Sequence, residues 1–330
     1  MTSANLPALL QTFFTDRLRS QLGASPHTVA SYRDTFRLLL VFASKSLGRE
    51  PSQLNMKDLD APFLGTFLDH LENGRSNTPR TRNTRLAALR AFSRFVAYSE
   101  PECSLLCQRI LAIPSKRYQR RPVEFLNEEE IDALIATPDS ATWIGKRDST
   151  LLLVAVQTGL RNAEIRSLRH RDVKLGVGAH VRCLGKGRKT RCTPLRHGTA
   201  AAVKSWLAQG GGPDDPLFPS SRGGFLSADA FQRLVARHAA AASAMCPSLA
   251  GRTVTPHTLR HTTAMTLLRS GVDQTVIALW LGHESTETTQ IYLHADMRLK
   301  ERALAHADPS GTVPPLFQPQ DQLLEFLKSL

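Results

Sequence analysis

From Asn5 to Ile113 leucine and phenylalanine recur at steps of three and four residues, the period of an amphipathic helix, and no alternating stretch interrupts them. That pattern predicts a helical first domain over residues 1–112. Ser25-Pro26 opens one of its helices, which turns Val29, Tyr32, Phe36, Leu39 and Leu40 inward; the N–H that proline lacks is not needed in a first turn. Asn73-Gly74 ends another. In residues 77–96, N-T-P-R-T-R-N-T-R-L-A-A-L-R-A-F-S-R-F-V, the spacing sends Leu86, Leu89, Phe92 and Val96 to a core and leaves five arginines mostly elsewhere. Arg80, Arg82 and Arg85 crowd the N-terminal end of this helix, where basic side chains and exposed helix N–H groups both attract a phosphate. A solvated basic face without a partner is the bland alternative.

Residues 113–124, I-P-S-K-R-Y-Q-R-R-P-V-E, are bracketed by prolines and dense in Lys116, Arg117, Arg120 and Arg121, which predicts an extended basic linker between two domains. Its charge suggests that it follows a polyanion, with the two domains clasping a duplex from opposite sides. Asn127 with Glu130 matches a helix N-cap and its box partner, ahead of Ile131, Leu134 and Ile135, and marks the start of a second domain over residues 125–308. That domain is mainly helical, except that H-V-R-C-L-G-K-G-R-K-T-R-C-T-P-L, residues 180–195, alternates around a glycine-bearing turn and predicts a β-hairpin. The chain as a whole is therefore expected to be mainly α with a small β-sheet. After Asp308-Pro309 a tail over residues 309–330 ends in Leu323, Leu324, Phe326 and Leu327, too short to be stable as an isolated helix.

Composition narrows the class. With 330 residues, 42% hydrophobic and 22% charged, the chain is long enough for two domains with sizeable cores. The longest strongly apolar run, Leu151 to Val156, is far short of the roughly 20 residues that span a bilayer, and the N-terminus lacks a secretory pattern. Five cysteines, an odd and scattered set, argue against a disulfide framework, so a cytoplasmic protein is expected. Cys183 and Cys192 could meet across the hairpin, although a buried thiol is the simpler reading. The 42 basic against 29 acidic residues leave a formal charge of +13, which points to nucleic acid or another anionic surface.

Candidate chemistry gathers in T-P-H-T-L-R-H-T, residues 255–262. His257 and His261 lie four apart on one helical face and suggest zinc; with Arg260 between them, they equally suggest an oxyanion. The zinc reading weakens because a zincin needs Glu after the first His, where this chain has Thr258. Four further stretches carry parts suited to phosphoryl transfer: T-G-L-R-N-A-E at 158–164, G-K-G-R-K at 185–189, L-G-H-E-S at 281–285 and T-T-Q-I-Y-L-H at 288–294. In this order, with 23 residues from Arg260 to His283 and nine from His283 to Tyr292, the motifs resemble the tyrosine recombinase, or phage-integrase, family, including Xer-type enzymes. The resemblance is strong from Asn127 to about His294 and weaker before it.

The resemblance implies an N-terminal helical core-binding (SAM-like) domain joined to a mixed α/β catalytic domain. It implies as catalytic residues Arg161, Lys186, the His257 and Arg260 pair, His283, and Tyr292 as nucleophile, with no metal or cofactor. Glu164 and His261 match companion positions, where a bracing role is expected. Lys189 is a rival to Lys186, Tyr292 by itself would read as a packed side chain, and His257 and His283 could be core histidines. The implied activity is cutting and rejoining of double-stranded DNA sites through a 3′-phosphotyrosyl bond, exchanging strands by way of a Holliday junction in a tetramer. Phage integration, transposon movement and chromosome-dimer resolution all use such chemistry. Two other classes compete: a type IB topoisomerase, which rejoins the same strands, and a noncatalytic DNA-binding regulator, which has no need of the six-residue set.

Overall fold

Asn5 caps α1 (Leu6–Thr12), and the chain continues in wider, π-type turns over Phe13–Gln21. The computed structural model describes residues 5–119, 123–185, 189–282 and 289. Ser25 accepts a hydrogen bond from the Thr28 amide to start α2 (Pro26–Leu47), Asp60 caps α3 (Ala61–Asn73), and Thr78 caps α4 (Pro79–Ser99). A short α5 (Ser104–Leu111) closes this first unit. Leu86, Leu89, Phe92 and Val96 of α4 are buried, as the spacing predicts, and join Phe13, Phe36 and Leu39 in one core. Phe92 meets Phe13 and Phe36 edge to face at centroid distances of 5.3 and 5.1 Å. Burying such a ring contributes roughly 1.5–3 kcal/mol, so these contacts anchor the helices that present the unit's surface.

The second unit begins with α6 (Glu128–Ala136), whose box is reciprocal: Asn127 Oδ1 accepts from the Glu130 amide at 2.8 Å and Glu130 Oε2 from the Asn127 amide at 3.0 Å. α7 (Trp143–Thr158) and a one-turn α8 (Asn162–Arg166) follow, then strands β1 (Val173–Lys174), β2 (His180–Leu184) and β3 (Thr190–Pro194). The three strands form one antiparallel sheet in the order β1-β2-β3, with the predicted hairpin as β2 and β3. Its register places Cys183 opposite Arg191 and Cys192 opposite Arg182, so the two cysteines lie on opposite faces, Cys183 buried and Cys192 exposed. All five cysteines are unbridged. The remaining elements are α9 (His197–Leu207), a small pair β4 (Pro219–Ser220) and β5 (Gly223–Phe225), α10 (Ala228–Ala242), α11 (Pro256–Arg269) and α12 (Gln274–Leu281).

Leu151, Leu152 and Val154 of α7 pack with Leu134, Val203, Phe231, Val235 and Leu259 in the main core of this unit. A buried carboxylate ties α7 to α10: Asp148 accepts from Arg147, Arg237 and His238 Nε2, the last at 2.9 Å. Burial alone would raise its pKa, but the hydrogen bonds from His238 and Arg147 bring it below the ordinary value. A smaller cluster of Met265, Leu268, Ile277 and Leu281 joins α11 to α12, and Val123, Phe125 and Trp280 pack against it.

The chain divides into two units at Arg120 and Arg121, within residues 113–124. Both sides of that division are held on their own units. The Lys116 amide donates to Asn83 Oδ1 and its carbonyl accepts from Asn83 Nδ2, while Arg90 donates to the Ile113 carbonyl. On the other side, Arg252 donates to the Phe125 carbonyl and Arg269 stacks over the Phe125 ring at 4.7 Å. No helix among the described residues is long and apolar enough to cross a membrane.

Candidate active site

α7 ends in Gly159, whose φ of +62° is the left-handed conformation that glycine adopts without a Cβ penalty. A Cβ there would lie 2.7 Å from Leu281 Cδ2, so the turn is closed by packing as well as by backbone conformation. The reversal delivers Arg161 to the cap position of α8. α11 supplies the other half of the site. Thr255 and Thr258 cap it reciprocally, Pro256 occupies its first turn, and His257 and Arg260 follow within that end of the helix.

Three arginines converge on the last carbonyls of α12, the negative end of its dipole. Arg191 Nε donates to the Trp280 carbonyl at 3.2 Å, Arg260 Nη2 to Leu281 at 2.8 Å, and Arg161 Nη2 to Gly282 at 2.6 Å. Arg260 Nη1 also donates to the Gly159 carbonyl at 2.7 Å. The two arginines predicted from the motifs are thus held against the same helix end, immediately before His283 in the chain.

Glu164 braces Arg161 and Arg191. Its Oε1 accepts from Arg161 Nη1 at 2.9 Å and Arg191 Nη1 at 2.8 Å, and its Oε2 from the Arg161 amide and Arg191 Nη2, both at 2.7 Å. Burial would raise the pKa of this carboxyl, but the Arg191 hydrogen bonds, the Arg161 amide, the Arg191 charge and the Arg161 side-chain hydrogen bond pull it down to about 2. Glu164 is therefore ionised and structural, in keeping with its expected bracing role. The residue that sequence reasoning missed is Arg191. Its signal was the strand alternation: Arg191 shares the inward face of β3 with buried Thr193, and an inward arginine needs a buried partner.

Arg161, His257 and Arg260 line one concavity of about 440 Å³, together with Asn162, Gln232 and Thr255. His257 is exposed to it, Arg161 is partly exposed and Arg260 is 3% exposed. The His261 ring packs against His257 at a centroid distance of 4.1 Å. Trp280 donates from Nε1 to the Thr158 carbonyl at 3.1 Å, which fixes α12 on the end of α7. Lys186, His283 and Tyr292 lie outside the described residues; Lys189, the rival lysine, is exposed at the foot of β3 and its carbonyl accepts from the Gly185 amide.

The basic residues expected to meet phosphate divide into two groups. Arg80 and Arg117 are exposed, and Lys116 is exposed while pairing with Glu72. Arg82 is only 5% exposed, 3.6 Å from Glu72, and donates to the Pro114 carbonyl. Arg85 donates to the Ser31 carbonyl and Thr35 Oγ1 of α2. Both placements follow from helical spacing: Arg82 lies four residues before Leu86 and seven before Leu89, on the buried stripe, and Arg85 stands at the same distances from Leu89 and Phe92. Its cation ties α4 to α3 and to the start of the linker. Arg120 and Arg121 lie outside the described residues.

The phage integrase family model matches residues 124–298, and the model of the phage integrase N-terminal SAM-like domain matches residues 12–99. The chain is 53% identical over 328 residues to a protein of Sinorhizobium fredii named integrase/recombinase y4rC, covering 99% of each. It is 32% identical over 299 residues to tyrosine recombinase XerC of Pelobacter propionicus, covering 90% of this chain and 94% of that one. Among solved structures, XerH bound to a palindromic difH substrate in a post-cleavage complex has the same fold, with a TM-score of 0.70, 24% identity, and coverage of 87% of this chain and 82% of that one. A lambda integrase dimer bound to a COC′ core site aligns with a TM-score of 0.63, 16% identity, and coverage of 90% and 79%. Family and site together define an enzyme that breaks and rejoins DNA strands. The chain belongs to the phage integrase family, the tyrosine recombinases.

Proposed function

We propose that this chain is a site-specific recombinase that exchanges strands between two DNA duplexes through a 3′-phosphotyrosyl intermediate and a Holliday junction. The observation that carries the reading is the convergence of Arg161 with His257 and Arg260, which follow it by nearly 100 residues in sequence, on one basic concavity. A phosphodiester gains charge on its nonbridging oxygens as in-line attack proceeds. Two always-protonated arginines, with His283 as a further donor, offset that charge from fixed positions. Tyr292 attacks phosphorus and the 5′ oxygen leaves, protonated by Lys186, while His257 assists the proton leaving the tyrosine. The phosphotyrosyl bond conserves the energy of the broken linkage, so a 5′ hydroxyl from another strand reverses the step and joins new partners.

Exposed Arg80, Lys116 and Arg117, with Arg120 and Arg121, supply phosphate contacts along the duplex. Exchange needs four cuts and each protomer carries one Tyr292, so the active species is a tetramer on two DNA sites. The decisive experiment traps the protein on a nicked duplex carrying its recombination site. Tyr292→Phe retains DNA binding and forms no covalent adduct, because it loses the attacking oxygen and keeps the ring. An adduct with this variant sinks the nucleophile assignment, and products that only rejoin the original strands favour a topoisomerase.

A further inference from the structure

We infer that Arg191 is a positioning residue of the active site, which takes up the Glu164 carboxylate so that the charge of Arg161 stays uncompensated and oriented for the phosphate. The inference rests on the proposed phosphate role of Arg161.

The geometry is that of one carboxylate shared by two guanidiniums. Arg191 engages both oxygens of Glu164 with parallel bonds of 2.8 and 2.7 Å, whereas the side chain of Arg161 reaches only Oε1, at 2.9 Å. The fork-to-fork pair is the stronger one. Arg161, Glu164 and Arg191 together carry one net positive charge. Without Arg191, Glu164 and Arg161 would cancel, and the bidentate face of the carboxylate would be open to draw the Arg161 guanidinium onto itself. Arg191 is well suited to this task because its side chain is only 12% exposed, so the pair is poorly screened by solvent.

Arg191 is also built into its surroundings from three sides. Its Nε is fixed on the Trp280 carbonyl. A Cβ on Gly282 would come within 2.7 Å of Nη1, and a Cβ on Gly185 within 3.1 Å, so both glycines leave room for the guanidinium and no more. β3, α8 and the end of α12 therefore meet at this one side chain. Arg191 is not among the residues that line the concavity, so its effect on a bound anion runs through Glu164 and Arg161.

The test uses the full-length protein and inorganic phosphate as the probe, titrated calorimetrically. The binding event that Arg161→Ala abolishes defines the site. Arg191→Met should weaken that event by about tenfold or more, the scale expected for losing one net charge beside a partly desolvated anion. Arg191→Met combined with Glu164→Gln should recover most of the loss, because the uncompensated carboxylate is gone. Arg191→Lys keeps the charge but not the fork and should stay within about threefold of wild type; it carries the test if the Met variant does not fold. Wild-type affinity in Arg191→Met, a double variant no better than the single one, or a tenfold loss in Arg191→Lys each overturns the inference. If Arg161→Ala binds phosphate as wild type does, the phosphate reading of the concavity fails instead.

Discussion

Glu164 shows how a single buried carboxylate organises a cationic site. Its ordinary pKa of 4.5 falls to about 2 in the folded chain, where the Arg191 and Arg161 contacts outweigh the opposing effect of burial. The folded-state value is depressed, so the stabilisation is fully present above pH 4.5 and is lost as pH falls from there through about 2. A shift of this size corresponds to about 3 kcal/mol. Glu164→Gln should therefore be less stable than wild type at neutral pH by about this amount, and urea denaturation should show the gap closing as the medium is acidified. A gap that is the same at both extremes of pH contradicts this account. The residue types at Arg161, His257 and Arg260 were legible from motif spacing. Arg191 was hidden because its motif role is carried by strand alternation and a partner 27 residues away.

At the scale of the element, the end of α12 is the point on which the site is assembled. Its last three carbonyls each accept from an arginine contributed by a different part of the second unit, β3, α11 or the α7–α8 turn. Gly282, in the left-handed conformation with φ +66°, turns the chain away directly before His283. Gly282→Ala adds a left-handed alanine, a cost of about 1 kcal/mol, and thrusts a methyl into Arg191. Gly23→Ala incurs the same backbone strain at φ +54° with nothing nearby to strike. Gly282→Ala should lose more thermal stability than Gly23→Ala, and it alone should slow adduct formation on a nicked recombination site. Equal rates for both would show that the helix end tolerates the displacement of Arg191. Helix starts such as Ser25-Pro26 and Asn127 with Glu130 were readable because a cap is a local hydrogen bond between residues three apart. The short strands β1, β4 and β5 were not, since two or three residues show no period.

For the whole molecule, each unit has buried apolar clusters of its own that hold its fold, and the net charge of +13 gives both a reason to meet DNA. Assembly is the property on which recombination depends. Leu323, Leu324, Phe326 and Leu327 lie outside the described residues, in a tail that the proposed tetramer would use to engage a neighbouring protomer. Removing residues 317–330 should leave binding to a single DNA site intact, while cooperative loading of paired sites and strand exchange both weaken. Band-shift titrations on one-site and two-site duplexes, read beside a strand-exchange assay, check this. Full exchange and unchanged cooperativity in the truncated protein would remove the tail from assembly.

The sequence by itself determined what depends on near neighbours: helical periods, caps, the alternating hairpin, the order of the motifs and the excess of positive charge. These are local or additive properties, so one dimension records them. Only the tertiary structure decided which cations are available. Arg82 and Arg191 carry the same group as Arg80 and Arg161, yet Arg82 is buried beside Glu72 and Arg191, only 12% exposed, spends its fork on both oxygens of Glu164, while Arg80 is exposed and Arg161 partly exposed. That distinction is a matter of pairing and desolvation, which depend on distances between segments far apart in the chain.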